Sequence, residues 1–414
     1  MKKLSFPLFL LFLLLCASCQ NDFVQPASNA DPKPIQVDSK TAQLIQNNNQ
    51  FGLDLFKEVA SQVKGDTNIM ISPLSATLAL SMTYNGAAGT TKTAFANTLG
   101  FTGLTTSNIN QSMENLSNVL TSVDPEVTFN LANSIWYRNT FSVDSSFLNT
   151  DKEYYNAEVS AMDFNDPASV STINNWVNQK TNGKIPTIIK SINPAELMIL
   201  INATYFKGNW TTQFDPSKTE NQSFYLQSGI SEQVPTMTQK ITMGYLNSGT
   251  FQAVELPYGR GNFSMILILP DQDKSLSDIE NEMTEANWQQ WTTLLDQKLN
   301  FTINLPKFQF SYSKTLNNVL SDLGLGIAFS PDSADFSNIN PNASLFISKV
   351  LQKTYIHVDE QGTEAAAVTA VNLNGTSAIM PTSISFNRPF FFAIKEKYTN
   401  AILFIGVVKD PSQN

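Results

Sequence analysis

The chain has 414 residues, 42% apolar and 15% charged, which provides ample material for a core and excludes an intrinsically disordered protein. Its 26 basic side chains stand against 35 acidic ones, a net charge of −9, so it has no electrostatic hold on phosphate backbones and nucleic acid is not an expected partner. Cysteine occurs twice and histidine once. Those counts exclude a disulfide framework or a His/Cys zinc site in the folded part, and no metal or cofactor is expected.

The N-terminus runs Lys2-Lys3, then apolar residues from Phe6 to Leu15, then Cys16-Ala17-Ser18-Cys19. That order of charge, short apolar run and small residues is an export signal, too short for the about 20 residues a bilayer span needs. Its end resembles a bacterial lipobox, with Ala17 and Ser18 in place and Cys16 an unusual substitute for the common aliphatic. The expectation is a signal peptide over 1–18, lipidation of Cys19, and a proline-bearing tether to about residue 40, with one domain over 41–414. The implied location is the outer membrane, facing the periplasm or the cell surface, with plain secretion as the alternative.

Past the tether the apolar spacing of Leu44, Ile45, Phe51, Leu55, Phe56 and Val59 predicts a helix over Gln43 to Ala60. Ser72 followed by Pro73 predicts a second helix, capped by the serine and opened by the proline. Strand-like runs follow at Glu196 to Phe206, Phe263 to Leu269, Leu299 to Leu305, Lys353 to Val358, Phe390 to Lys395 and Ala401 to Val408. No internal repeat occurs, and the class is α+β.

Enzyme chemistry finds little footing. His357 is the one histidine and sits inside the alternating run Thr354 to Val358, where it reads as a strand residue rather than as a general base. Asp271, Asp273, Ser275, Ser277 and Glu282 mimic an EF-hand spacing, but the turn position holds Leu276 where a calcium loop needs glycine. A strand ending at Pro270 and leading into a helix accounts for the same residues. Gly324-Leu325-Gly326 lacks the third glycine of a dinucleotide loop.

One segment stands apart: Glu360, Gln361, Gly362, Thr363, Glu364, Ala365, Ala366, Ala367, Val368, Thr369, Ala370. If extended, Thr363, Ala365, Ala367, Thr369, Val371 and Leu373 share one uncharged face that begins with small residues, and Glu364, Ala366, Val368 and Ala370 share the other. Proline is absent from Lys353 to Met380, so the segment can join a sheet. An alanine-rich helix is the competing reading, opposed by Gly362, Thr363, Val368 and Thr369.

This segment resembles the hinge of the reactive loop in inhibitory serpins. The runs Asn68 to Ser75, Gly86 to Thr91, Leu200 to Trp210, Phe386 to Phe390 and Leu403 to Gly406 resemble further signatures of that family in the right order. The resemblance covers about residues 41–411 and is to a bacterial inhibitory-type member. It implies a single domain with a large central mixed sheet, two further sheets, eight or nine helices and an exposed loop over about 360–381.

The implied function is irreversible suicide-substrate inhibition of serine proteases, with cysteine proteases as a further target class, and no catalysis of its own. The cleaved loop inserts into the central sheet and traps the acyl-enzyme. The alternative is a non-inhibitory serpin-fold surface lipoprotein acting as a carrier. Counting from Glu360 as in typical members places the reactive bond between Thr376 and Ser377, although the segment after it is slightly shorter than in familiar relatives. No Lys, Arg or aromatic residue lies near that bond, which implies elastase-like or subtilisin-like targets. Ser72, Ser75 and Asn202 match the polar cluster where the sheet opens, Trp210 an aromatic above it, and Lys307 with Glu360 a charge pair there. The family often has histidine where this chain has Gln352, which puts pH-dependent opening at that site in doubt. A monomer is expected, held to a membrane through the lipid on Cys19.

Overall fold

Asp38 shows how local chemistry starts the structure: its carboxylate accepts the N–H groups of Lys40 at 2.9 Å and Thr41 at 3.0 Å, and the first helix begins at Ser39, ahead of its apolar stripe. The computed structural model describes residues 31–193, 195–363 and 383–413. In chain order its helices are α1 (Ser39–Ser61), α2 (Pro73–Gly86), α3 (Gly89–Thr98), α4 (Thr106–Leu120), α5 (Ser145–Tyr155), α6 (Ala168–Lys180), α7 (Leu276–Glu282), α8 (Glu285–Leu294) and α9 (Asn317–Leu320). The strands are β1 (Ile69–Ile71), β2 (Val127–Arg138), β3 (Glu158–Met162), β4 (Met198–Asn209), β5 (Glu220–Tyr225), β6 (Ser231–Asn247), β7 (Phe251–Tyr258) and β8 (Phe263–Pro270). Then come β9 (Lys298–Pro306), β10 (Phe308–Thr315), β11 (Leu351–Val358), β12 (Gly362–Thr363), β13 (Ser383–Ser385), β14 (Phe390–Glu396) and β15 (Ile402–Val408).

Two sheets result. A six-stranded sheet has the order β10-β11-β12-β4-β2-β3, antiparallel except for β2 with β3. A nine-stranded sheet runs β1-β15-β14-β8-β7-β6-β9-β13, with β5 on β6. The two smaller sheets implied by the resemblance are continuous here, because the 17-residue β6 pairs with β5 and β9 along much of its length and with β7 at its end.

Every residue of β14 and β15 is buried, as are those of β8. Such continuous apolar runs are what strands covered on both faces require. Phe129, Phe206, Phe263 and Phe404 carry the core from one sheet to the other, with ring centroids 5.8 to 6.4 Å apart. Helix α2 packs between β4 and β15 and is buried nearly all round. On the outer face of the six-stranded sheet, Trp136 and Ile201 meet Ile173, Trp176 and Val177 of α6 in a separate cluster.

The tether expectation is corrected, and the strand-to-helix reading of the acidic run holds. Residues 31–38 lie along the body: Asn262 accepts the Lys33 N–H at 2.8 Å and donates to its carbonyl at 2.7 Å, and the Tyr398 hydroxyl donates to the Pro32 carbonyl at 3.0 Å. Ser275 caps α7 in a capping box with Asp278, so the residues of the calcium-like spacing serve a strand-to-helix turn.

Candidate functional site

The six-stranded sheet is divided at one place. β4 pairs with β2 from Tyr137↔Met198 to Val127↔Gly208, and β11 pairs with β10 from Phe308↔Val358 to Thr315↔Leu351. Among the described residues, β4 and β11 are joined to each other only through β12, by Gly362↔Asn209, Thr363↔Gly208 and Val358↔Thr363. Below those rungs the facing edges of β4 and β11 have no strand pairing among the described residues, leaving a slot.

Glycine is required at the top of this slot. Gly362 has φ of +155°, and a Cβ there would run into the Gly208 carbonyl and lie 2.7 Å from the Asn209 Cα. A Cβ on Gly208 would in turn stand 3.1 Å from the Tyr258 ring. Thr363 points inward, 3% exposed, and its hydroxyl lies 2.6 Å from that of Tyr258. Burial pushes the Tyr258 phenol far above its ordinary pKa, against the pull of the Thr363 hydrogen bond, so it stays neutral.

Tyr258 stacks on Trp210 with centroids 4.4 Å apart at 14°. The Trp210 indole donates to the Asp359 carbonyl at 3.0 Å and its backbone N–H to the Gln361 carbonyl at 2.7 Å. The Asp359 carboxylate closes the turn, accepting from Gln361 N–H at 2.9 Å and Gly362 N–H at 3.3 Å. Glu360 is held by the Lys307 ammonium at 2.8 Å and the Thr219 hydroxyl at 2.7 Å. Burial alone would favour its protonated form, but the Lys307 and Thr219 hydrogen bonds outweigh it and keep the carboxyl below the usual glutamate pKa. His357 lies on the outer face of β11, its Nε2 3.9 Å from the Asp359 carboxylate.

Halfway down the slot sits a polar cluster. Ser72 caps α2, and its hydroxyl donates to the Leu403 carbonyl at 2.7 Å. The Gln352 carboxamide accepts from Ser72 N–H at 3.0 Å and donates to Ser72 C=O at 2.9 Å, fastening β11 to the start of α2 as another strand would. Ser75 bonds Asn202 on β4, which bonds Asn133 on β2, which donates to the Tyr155 carbonyl at 2.6 Å. Below this cluster, α2, the start of β4, the start of β11 and residues 344–350 enclose a cavity of about 310 Å³.

The structure thus groups Glu360, Gly362, Thr363, Trp210 and Lys307 at the top of the slot and Ser72, Ser75, Asn202 and Gln352 at its middle. Glu364, Ala365, Ala366, Ala367, Val368 and Thr369, the bond Thr376–Ser377, and Cys19 lie outside the described residues. Sequence reasoning missed Tyr258, Asp359, Thr219 and Asn133. Gly208, beside Trp210 in the run Leu200 to Trp210, was the one legible sign that something must pass close to the backbone there.

A family profile described as Serpin (serine protease inhibitor) matches residues 46–411. The chain belongs to the serpin family. A serpin-like protein of Methanosarcina acetivorans is 32% identical over 88% of this chain and 85% of its own length. Human serpin B11 is 32% identical over 88% of this chain and 98% of its own. Among solved serpins, tengpin in its native state matches with a TM-score of 0.80 and 34% identity over 92% of this chain and 97% of its own. Human thyroxine-binding globulin, solved with thyroxine, matches with a TM-score of 0.82 and 30% identity over 90% of this chain and all of its own. The family is one of protease inhibitors in general, and its structures include a thyroxine-binding member.

Proposed function

We propose that this serpin is an irreversible suicide-substrate inhibitor of serine proteases, and that its slot receives its own cleaved loop. One observation carries the reading: Gly362 and Thr363 already pair with β4, and Thr363 pairs with β11 as well. Continuing that register sets Ala365 opposite Phe206 and Ile356, Ala367 opposite Thr204 and Thr354, and Thr369 opposite Asn202 and Gln352. Small and hydroxylated side chains thus fall where they must pass a core and then meet the polar cluster. From Gly362 to Thr376 a fully inserted strand would run about 46 Å, enough to carry an attached protease from one pole of the domain toward the other. Insertion races deacylation, and the protease is trapped when insertion wins.

In this reading attack falls between Thr376 and Ser377, on elastase-like or subtilisin-like enzymes with shallow pockets, and cysteine proteases are a second class. The protein works as a monomer, with 1–18 removed, Cys19 lipidated, 19–30 as the connection and 31–414 as the inhibitory domain at the outer membrane.

A carrier role is the second reading, favoured by the likeness to thyroxine-binding globulin. Incubation with elastase and subtilisin followed by a denaturing gel separates the two. Inhibition gives a covalent complex that survives boiling and a released C-terminal fragment that mass spectrometry reads as beginning at Ser377. Clean cleavage without any complex across a broad protease panel overturns the proposal.

A further inference from the structure

The cavity at the low end of the slot has a distinct chemistry. Met198 and Leu200 on β4 and Ala79 on α2 line it and are only half-buried, while Phe346 at its mouth is 43% exposed. An apolar lining left half-open within a core, with a volume of about 310 Å³, is the character of a ligand pocket rather than a packing flaw. Its inner polar residues have their partners: both amide atoms of Gln352 are taken by Ser72, and those of Asn202 by Ser75 and Asn133. A polar head therefore gains nothing at that end.

The mouth differs. Lys349 is exposed there, and the Glu196 carboxylate is engaged by the Ser348 hydroxyl at 3.3 Å and the Asn193 N–H at 3.2 Å. We propose that the cavity binds a single-chain aliphatic carboxylate, its chain on Ala79, Met198 and Leu200 and its head beside Lys349. Such a ligand sits between β4 and β11, so it blocks completion of the inserted strand. The binding site stands on the cavity alone; its effect on inhibition rests on the function proposed above.

Decanoate, kept below its micellar range, is titrated into the mature chain by calorimetry. The expected result is saturable one-site binding, weakened at least tenfold by Ala79→Trp, which fills the cavity, and severalfold by Lys349→Gln. Thermal unfolding checks that Ala79→Trp folds, and Leu200→Phe serves as the second filling variant. No saturable binding, undiminished binding by both filling variants, or equal binding of decanol and decanoate to the unsubstituted chain overturns the proposal. Decanoate should also raise the moles of serpin consumed per mole of protease inhibited. If decanoate binds but no protease is inhibited under any condition, the cavity assignment survives and the inhibitory reading fails.

Discussion

The two sheets are built from similar residues and finished differently. From β15 through β14, β8 and β7 to β6, each strand of the larger sheet has a neighbour on both sides, and β15, β14 and β8 are buried throughout. In the smaller sheet β4 and β11 are each paired on one side, while the described residues join them to each other only at Gly362 and Thr363. Backbone groups of a strand are costly to bury unless another group pairs with them. Polar residues such as Gln352 and Asn202, which hold the region together through side chains, are what one expects where strands must later part. On the proposed function, the smaller sheet is the one that opens and the larger one the fixed frame.

Substitutions should respect that division. The largest effect is expected of Thr363→Arg, which forces a guanidinium into the 3%-exposed site against Tyr258. The moles of serpin needed per mole of protease should rise more than tenfold, measured by titration against a fixed amount of enzyme; an unchanged ratio would remove the hinge from the mechanism. Next, Gly362→Val puts a side chain at φ +155° against the Gly208 backbone. A loss of about 1–3 kcal/mol is expected in denaturant unfolding, and loss of amide protection confined to Gly208, Val358 and their neighbours should accompany it.

Gln352→Ala leaves the buried Ser72 N–H without its partner, while the Ser72 C=O keeps the Ala76 N–H, a loss of about 1–3 kcal/mol. Because an amide does not titrate, the rate of spontaneous loss of inhibitory activity in this variant should rise by a similar factor at pH 6 and pH 8. A factor that differs strongly between the two pH values would place a titrating group at the opening.

The smallest effect belongs to a region far from the slot. Burial raises the Glu285 carboxyl to about 7, against hydrogen bonds from Gln289 and Asn49. The folded state therefore holds a proton that the unfolded chain releases near the ordinary glutamate value. Its stabilising contribution is complete below that value and lost as pH rises through about 7. Glu285→Gln should raise the thermal midpoint by about 2 °C at pH 8.5 and leave it unchanged at pH 4. A rise at pH 4 instead would reverse the sign of the shift.

Much of this was legible in the sequence because it was local. Ser72-Pro73 announced the cap and first turn of α2, and alternating Thr354 to Val358 announced β11. The inward placement of Thr363 followed from period-two geometry. What was not legible was long-range. Tyr258 reaches Thr363 across 105 residues and Asp359 receives Trp210 across 149, and no spacing rule connects such pairs. Nor did the polar composition of residues 31–38 reveal that Asn262 would hold Lys33 by both backbone groups.

The central claim is that the slot between β4 and β11 accepts this chain's own loop, and thermal unfolding before and after nicking that loop tests it. Inserting a strand adds a ladder of hydrogen bonds and buried side chains. A protease that cleaves the loop without being trapped should therefore raise the unfolding midpoint by tens of degrees. A nicked protein that melts where the intact one does would contradict the account.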